Sequence, residues 1–276
     1  MRAGPVSAAH AGTVRLGDRT VHRMGLGTNR LTDTGSARAL LERAVELGVD
    51  FIDTADVYQA TASETAIGHA LGRGARGAVV ATKGGMVRSA DGRGTDGRPE
   101  YLREAVEASR RRLGVDCIEL YQLHRVDPQV PIETSVGALQ ELQKAGRIRR
   151  IGLSNVSVEE LERARGVAPI VSVQNRFNIL ERDQEDVLDY CEAHSIVFIP
   201  WTPVARGSLA QSKPLLQTAQ RLSVTPHQLA LRWLLRRSPI MLPIPGTLSI
   251  GHLEENLAAA DIDLSDDDFQ RLNGNE

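Results

Sequence analysis

Cysteine is scarce: Cys117 and Cys191 are the only two in 276 residues. Two are too few for a disulfide framework and their spacing fits no metal site, so both are expected as buried free thiols, with no metal centre. Net charge is nearly absent as well, with 33 Lys and Arg against 35 Asp and Glu and a formal charge of −2. Proteins that grip nucleic acid through its phosphates normally carry a basic excess, so this balance argues against that class, and no run of like charge forms a tail. No apolar stretch approaches the roughly 18 residues of a membrane span, and the opening MRAGPVSAAHAGT lacks the apolar core of a signal peptide. A cytoplasmic globular protein follows, with a flexible N-terminus over residues 1–12 and no nucleic-acid or membrane partner. It is expected as a monomer or weak homo-oligomer.

Lysine is scarce too. Only Lys83, Lys144 and Lys213 occur among 33 cationic side chains, and arginine supplies the rest. Codon bias explains arginine wherever a solvated cation suffices, which makes each retained lysine worth inspection. Lys144 and Lys213 stand in helix-end and loop contexts and are expected on the surface. Lys83 stands in Ala81-Thr82-Lys83-Gly84-Gly85, where a strand should end.

Alternation organises the rest of the chain. Short apolar runs over residues 24–28, 51–53, 78–82, 117–123, 149–153, 170–174, 196–200 and 240–244 read as strands. Between them, Ala37, Leu40, Leu41, Ala44 and Val45 share one helical face, as do Leu102, Ala105, Val106 and Leu113. Ser157 and Glu160 have capping-box spacing, and Gly17-Asp18 between residues 14–16 and 20–22 predicts a β-hairpin. Eight strand and helix alternations predict the α/β class and a single (β/α)8 TIM barrel over residues 13–276, entered through that hairpin. A doubly wound sheet competes, but Gly25-Leu26-Gly27 runs into Thr28, Asn29 and Arg30, so the dinucleotide fingerprint is incomplete. Residues 88–99, with Gly92, Gly94 and Gly97, read as a long mobile loop.

Barrel strands converge at one mouth by their C-terminal ends. Asp53, Lys83 and His124 end the second, third and fourth predicted strands, and Tyr58 follows Asp53 by five residues. Singly, each also reads as a turn, packing or hydrogen-bonding residue. Together they make a chemical unit. A phenol ionises near pH 10, too high for an efficient acid at neutral pH; an adjacent ammonium favours phenolate, and a carboxylate holds the ammonium. Tyr58 would then be the acid, Lys83 its tuner, Asp53 the anchor, and His124 the group that orients a carbonyl oxygen. No side chain donates hydride, so a reduced cofactor is implied.

The run Gly48-Val49-Asp50-Phe51-Ile52-Asp53-Thr54-Ala55-Asp56-Val57-Tyr58, then Ser63-Glu64 and Ile67-Gly68, resembles the signature of the aldo-keto reductase superfamily. Thr82-Lys83, Gln122-Leu123-His124-Arg125, Ile151-Gly152-Leu153-Ser154-Asn155, Val173-Gln174-Asn175, Ile244-Pro245-Gly246-Thr247 and Glu255-Asn256 follow in family order. The resemblance implies NADP(H)-dependent reduction of aldehydes or ketones, with NAD(H) as the alternative cofactor and Asp53, Tyr58, Lys83 and His124 as the catalytic set. It places Ser154, Asn155 and Gln174 at the nicotinamide carboxamide, Trp201 on the ring, and Gly27 and Thr28 near the cofactor. Thr202, Pro203, Arg206, Gly207, Ser208 and Leu209 resemble the pyrophosphate loop. Gly246 and Thr247 fall near the 2'-phosphate, and Glu255 and Asn256 at adenine.

Two departures stand out. Many relatives read Tyr-Gly-x-Gly-x-Ser-Glu where this chain has Tyr58-Gln59-Ala60-Thr61-Ala62-Ser63-Glu64, so the loop beside the acid should be stiffer and the pocket narrower. Where relatives place Lys or Arg for the 2'-phosphate, Leu248, Ser249 and Ile250 follow, leaving Thr247, Ser249 and His252 to serve. The tail after Ser265 is short, which predicts an open substrate pocket bordered by Met86, Val87 and Arg125. The segments around Gln174 and Glu255 look most like a bacterial branch that includes pyridoxal reductase. The alternatives are a cofactor-binding sensor or accessory subunit with little turnover, and a barrel aldolase using Lys83 as a Schiff base.

Overall fold

A computed structural model describes residues 5–72, 75–89 and 92–274, with the backbone alone at positions 76, 88, 89, 93 and 206. The chain opens with a turn at Ala8–Ala11 and a hairpin of β1 (Thr13–Leu16) and β2 (Arg19–His22), in which Val14 pairs with Val21 across Gly17 and Asp18. Next come β3 (Leu26–Gly27), α1 (Gly35–Glu46), β4 (Phe51–Asp53), α2 (Ala62–Leu71) and β5 (Val79–Gly84). An antiparallel pair, β6 (Met86–Ser89) and β7 (Gly92–Thr95), leads into α3 (Pro99–Leu113). The repeat resumes with β8 (Leu120–Leu123), α4 (Ile132–Lys144), β9 (Ile151–Ser154), α5 (Val158–Arg165), β10 (Ile170–Gln174), α6 (Glu185–Ala193) and β11 (Val197–Phe198). Four helices complete it: α7 (Lys213–Leu222), α8 (Pro226–Arg237), α9 (Ile250–Ala258) and α10 (Asp266–Asn273). No described helix is long and apolar enough to cross a membrane.

The strands β3, β4, β5, β8, β9, β10 and β11 pair in that order, each parallel to the next. The expected eighth strand is an irregular closing segment. It accepts from Phe198 N at Ile240 O (3.0 Å), donates from Leu242 N to Phe198 O (2.9 Å), and accepts from Gly25 N at Pro243 O (3.0 Å) and from Gly27 N at Pro245 O (3.3 Å). Pro243 and Pro245 have no N–H, so a regular ladder cannot form there. Bridges from Phe198 to Met241 and from Gly27 to Gly246 join both edges and close the (β/α)8 barrel.

Side-chain alternation decides what the barrel holds. Phe51, Val79, Ala81 and Leu120 turn inward and pack with Val197, Ile199, Leu242 and Ile244, while Ile52, Val80, Tyr121 and Leu123 join the outer layer of helices. Val14, Leu16 and Val21 of the hairpin join the inner cluster and plug the N-terminal end. The next inward positions, Asp53, Lys83 and Gln122, therefore lie towards the open C-terminal mouth.

The predicted helical faces are the buried ones: Ala37, Leu40, Leu41 and Ala44 in α1, and Leu102, Ala105, Val106 and Leu113 in α3. The capping box on α5 forms, with Glu160 N donating to Ser157 Oγ (3.2 Å) and Ser157 N to Glu160 Oε2 (2.8 Å). Three expectations change. Within the segment read as a loop, β6 and β7 pair from Met86–Thr95 to Ser89–Gly92, with residues 90 and 91 outside the described residues. Glycine and arginine there show no period-two hydrophobicity, so the pairing, made by backbone groups, left no trace in the side chains. Cys191 is buried as expected, but Cys117 is only partly so. Ala8, within the stretch read as flexible, is fully buried and its N–H donates to Leu47 O at 2.9 Å.

Candidate active site

Lys83 is fully buried, and its three ammonium protons have three acceptors: Asp53 Oδ2 at 2.8 Å, Thr54 O at 2.7 Å and Tyr58 Oη at 3.3 Å. Burial alone would push this ammonium down, but attraction to Asp53 and Tyr58 and the hydrogen bonds to both outweigh it, holding it above the ordinary lysine value. The other oxygen of Asp53 accepts from Gln174 Nε2 at 2.8 Å, so a carboxylate only 2% exposed is satisfied on both sides. Buried charges are tolerated only when paired and hydrogen-bonded, and this pair meets both conditions. The Lys83 Nζ lies 4.9 Å from the Tyr58 ring centroid, and that ring meets the His124 ring edge to face at 6.0 Å. The four residues expected to act together are brought together.

The loop carrying Tyr58 is strained. Gln59, Ala60 and Thr61 have φ of 49°, 52° and 78°, three successive non-glycine residues in left-handed conformation. Each costs about 1–2 kcal/mol relative to glycine-like freedom. The chain thus keeps the turn that glycines would take without strain. Gln59 Nε2 donates to Asn29 O at 3.0 Å and its side chain joins the wall of the mouth.

Behind this loop, outside the barrel, lies a second polar cluster. Glu64 is fully buried and accepts from Thr82 Oγ1 at 2.5 Å and from Arg112 Nε at 2.6 Å. Asp56 is 8% exposed; burial first, then the negative charge of Glu64, push its carboxyl up to about 7. Asp56 Oδ1 and Tyr121 Oη find no partner among the described protein groups. Between the ordinary carboxyl value of 3.8 and about 7, the folded state holds a proton that the unfolded chain has released. Stability should therefore fall as pH rises through that window, by an amount on the order of 4 kcal/mol once above it. Asp56→Asn, which mimics the protonated form, is expected to raise Tm by several degrees at pH 8 and to leave it little changed at pH 4. Parallel Tm–pH profiles for the two proteins would assign that slope elsewhere.

A cavity of about 1020 Å³ covers the mouth. Gly27, Thr28, Ser154, Asn155, Gln174, Trp201, Thr202, Pro203, Gly207, Gly246, Thr247, His252, Glu255 and Asn256, the candidates for cofactor contact, line it together with Met86, Val87 and Arg125. The amide end is interlocked: Ser154 Oγ donates to Gln174 O (2.9 Å), Asn155 Nδ2 to Ser154 Oγ (2.8 Å) and to His124 O (3.1 Å), and Trp201 Nε1 to Asn155 Oδ1 (3.1 Å). A Cβ on Gly27 would lie 2.6 Å from Ile244 O, so only glycine lets the closing segment approach.

Three expected contacts lie off the cavity walls. Leu209 is 1% exposed in the hydrophobic core, Ser208 does not line the mouth, and Ser249 is engaged as the cap of α9, accepting from His252 N at 3.4 Å. The side chain of Arg206 lies outside the described residues. Sequence reasoning missed Asn29, Arg30, Gln59, Thr225, Pro226 and His227, which also line the cavity. The first three adjoin predicted residues; the others open α8, whose capping box at Thr225 and Gln228 was the available signal.

A model of the aldo/keto reductase family matches residues 23–275. The chain is 45% identical to an uncharacterized oxidoreductase of Schizosaccharomyces pombe, over 97% of this chain and 90% of the relative. It is 36% identical to pyridoxine 4-dehydrogenase of Escherichia coli, over 95% and 97%. Among solved structures, a glycerol dehydrogenase from Gluconobacter oxydans superposes with a TM-score of 0.86 at 28% identity, over 96% of this chain and 94% of that one. An aldo-keto reductase from Klebsiella pneumoniae, in complex with NADPH, gives 0.81 at 30% identity over 95% and 94%. Over nearly its whole length, therefore, the chain belongs to the aldo/keto reductase family.

Proposed function

We propose that the protein reduces aldehyde or ketone carbonyls to alcohols with NADPH, NADH being the weaker alternative, and that Tyr58 supplies the proton. The observation that carries this reading is the fully buried Lys83 ammonium, joined at once to the Asp53 carboxylate and the Tyr58 hydroxyl. A phenol that accepts a hydrogen bond from an ammonium still has its own O–H to donate, and the cation stabilises the phenolate left behind. Tyr58 would protonate the carbonyl oxygen, His124 would orient that oxygen, and Asp53 would keep Lys83 in place. Bound NADPH supplies the hydride, so two electrons and two hydrogens reach the carbonyl, one proton coming from Tyr58.

The cavity fits such a cofactor. It joins the amides of Asn155 and Gln174 and the half-buried Trp201 ring to a glycine-lined floor at Gly27 and Gly246 and to the first turns of α8 and α9. Helix N-termini carry a partial positive charge suited to phosphates. The NADPH complex of the Klebsiella relative supports the choice of cofactor. The test is oxidation of NADPH and of NADH by a panel of aldehydes that includes pyridoxal, since a relative is named for pyridoxine. Turnover faster with NADPH is expected. Tight NADP(H) binding with no turnover on any carbonyl would replace the reductase reading with that of a sensor.

A further inference from the structure

Among the described residues, the substrate end of the mouth carries one unbalanced charge. Its walls come from Val57, Tyr58, Met86, Val87, His124 and Arg125. Within it, Lys83 and Asp53 neutralise each other. Arg125 is exposed and, among the described residues, its guanidinium has neither a carboxylate nor a carbonyl partner, in contrast to Arg30, which donates to Gly246 O at 3.2 Å, and Arg176, which pairs with Glu181. Among the described residues, the carboxylates nearest to it, Asp96 and Asp127, are committed elsewhere. Asp96, whose backbone oxygen and that of Arg125 both lie 3.8 Å from where a Cβ of Gly85 would stand, makes a two-pronged pair with Arg98 at 2.9 and 2.6 Å. Asp127 accepts from Gly97 N at 2.8 Å and Gln129 N at 2.9 Å. The chain therefore places a planar five-donor cation in the same mouth as the proton donor, without an anionic partner among the described residues.

We infer that Arg125 recognises an anionic group on the substrate, so that the favoured substrates are aldehydes or ketones bearing a carboxylate or phosphate on a short aliphatic chain. A guanidinium fork matches either anion bidentately. Val57, Met86 and Val87 supply an apolar wall for the intervening methylenes. This inference rests on the reductase reading of the same mouth and narrows it.

The test uses matched pairs: 4-oxobutanoate against butanal, and glyceraldehyde 3-phosphate against glyceraldehyde. The wild-type ratio of kcat/KM, anionic over neutral, is expected to exceed about ten, and Arg125→Gln to lower it by about ten- to a hundred-fold through KM, with Arg125→Lys in between. A preference in one pair alone identifies which anion is read. Turnover of the neutral aldehydes with no anionic preference, or a preference unchanged in Arg125→Gln, overturns the inference and leaves the reductase reading standing. If no aldehyde is reduced, the reductase reading falls, and calorimetric binding of succinate decides the role of Arg125: weaker binding to Arg125→Gln supports it, and equal binding overturns it.

Discussion

Tyr58→Phe is expected to lower kcat for aldehyde reduction by about 10³-fold, the middle of the range for a positioned general acid. The substitution removes one oxygen and little else. The ring stays edge-on to His124 and above the Lys83 ammonium, contacts that depend on its face and edge rather than on its hydroxyl. The mouth keeps its shape, so NADPH should bind with unchanged affinity in a fluorescence titration. Lys83 loses one of its three acceptors, a loss of about 1 kcal/mol of stability that denaturation would register separately. A variant retaining a tenth or more of the wild-type kcat would mean that the proton comes from another group, with His124 the next in position.

Lys83→Met is expected to damage both catalysis and stability. It leaves the Asp53 carboxylate buried with only amide donors, Gln174 Nε2 at 2.8 Å and Gln122 Nε2 at 3.5 Å. Removing one partner of a buried pair typically costs about 3–5 kcal/mol, because the other charge remains without compensation. Activity should fall by about 10²- to 10³-fold as the phenol loses the cation that stabilises its conjugate base. The double variant Asp53→Asn with Lys83→Met separates the two effects: the stranded charge is gone, so most of the stability should return, while activity should not. Lys83→Arg keeps the charge but must fit a larger planar group where Lys83 has no exposure, and it too should be inactive. Chemical denaturation and steady-state rates on these variants are the measurements. An active Lys83→Arg would show that positive charge suffices, and a double variant no more stable than Lys83→Met would remove the Asp53 coupling as the cause.

The elements most legible in the sequence are those in which burial follows chain periodicity. The faces of α1 and α3 and the capping box of α5 depend on residues three or four apart. The closing segment was legible as an apolar run but not as an irregular one, since its form depends on prolines meeting two strand edges from opposite ends of the sheet. The pair β6 and β7 was illegible because backbone groups make it. Asp56 gave no hint of its environment. Its raised carboxyl reflects burial beside Glu64, and burial is a property of the packed molecule.

The candidate site divides in the same way. The sequence by itself determined which chemistry is available: a carboxylate and a phenol five residues apart, a retained lysine and a histidine at strand ends. The tertiary structure alone decided that Lys83, 30 residues from Asp53, and Gln174, 121 residues from it, meet on opposite oxygens of one carboxylate. It also decided that Asp96 is spent on Arg98 while Arg125 lines the mouth with no anionic partner among the described residues. The physical reason is that closing the barrel removes Asp53, Lys83 and Gln174 from water. Once water is excluded, only the partners that the fold supplies can satisfy them, and those partners lie far away along the chain.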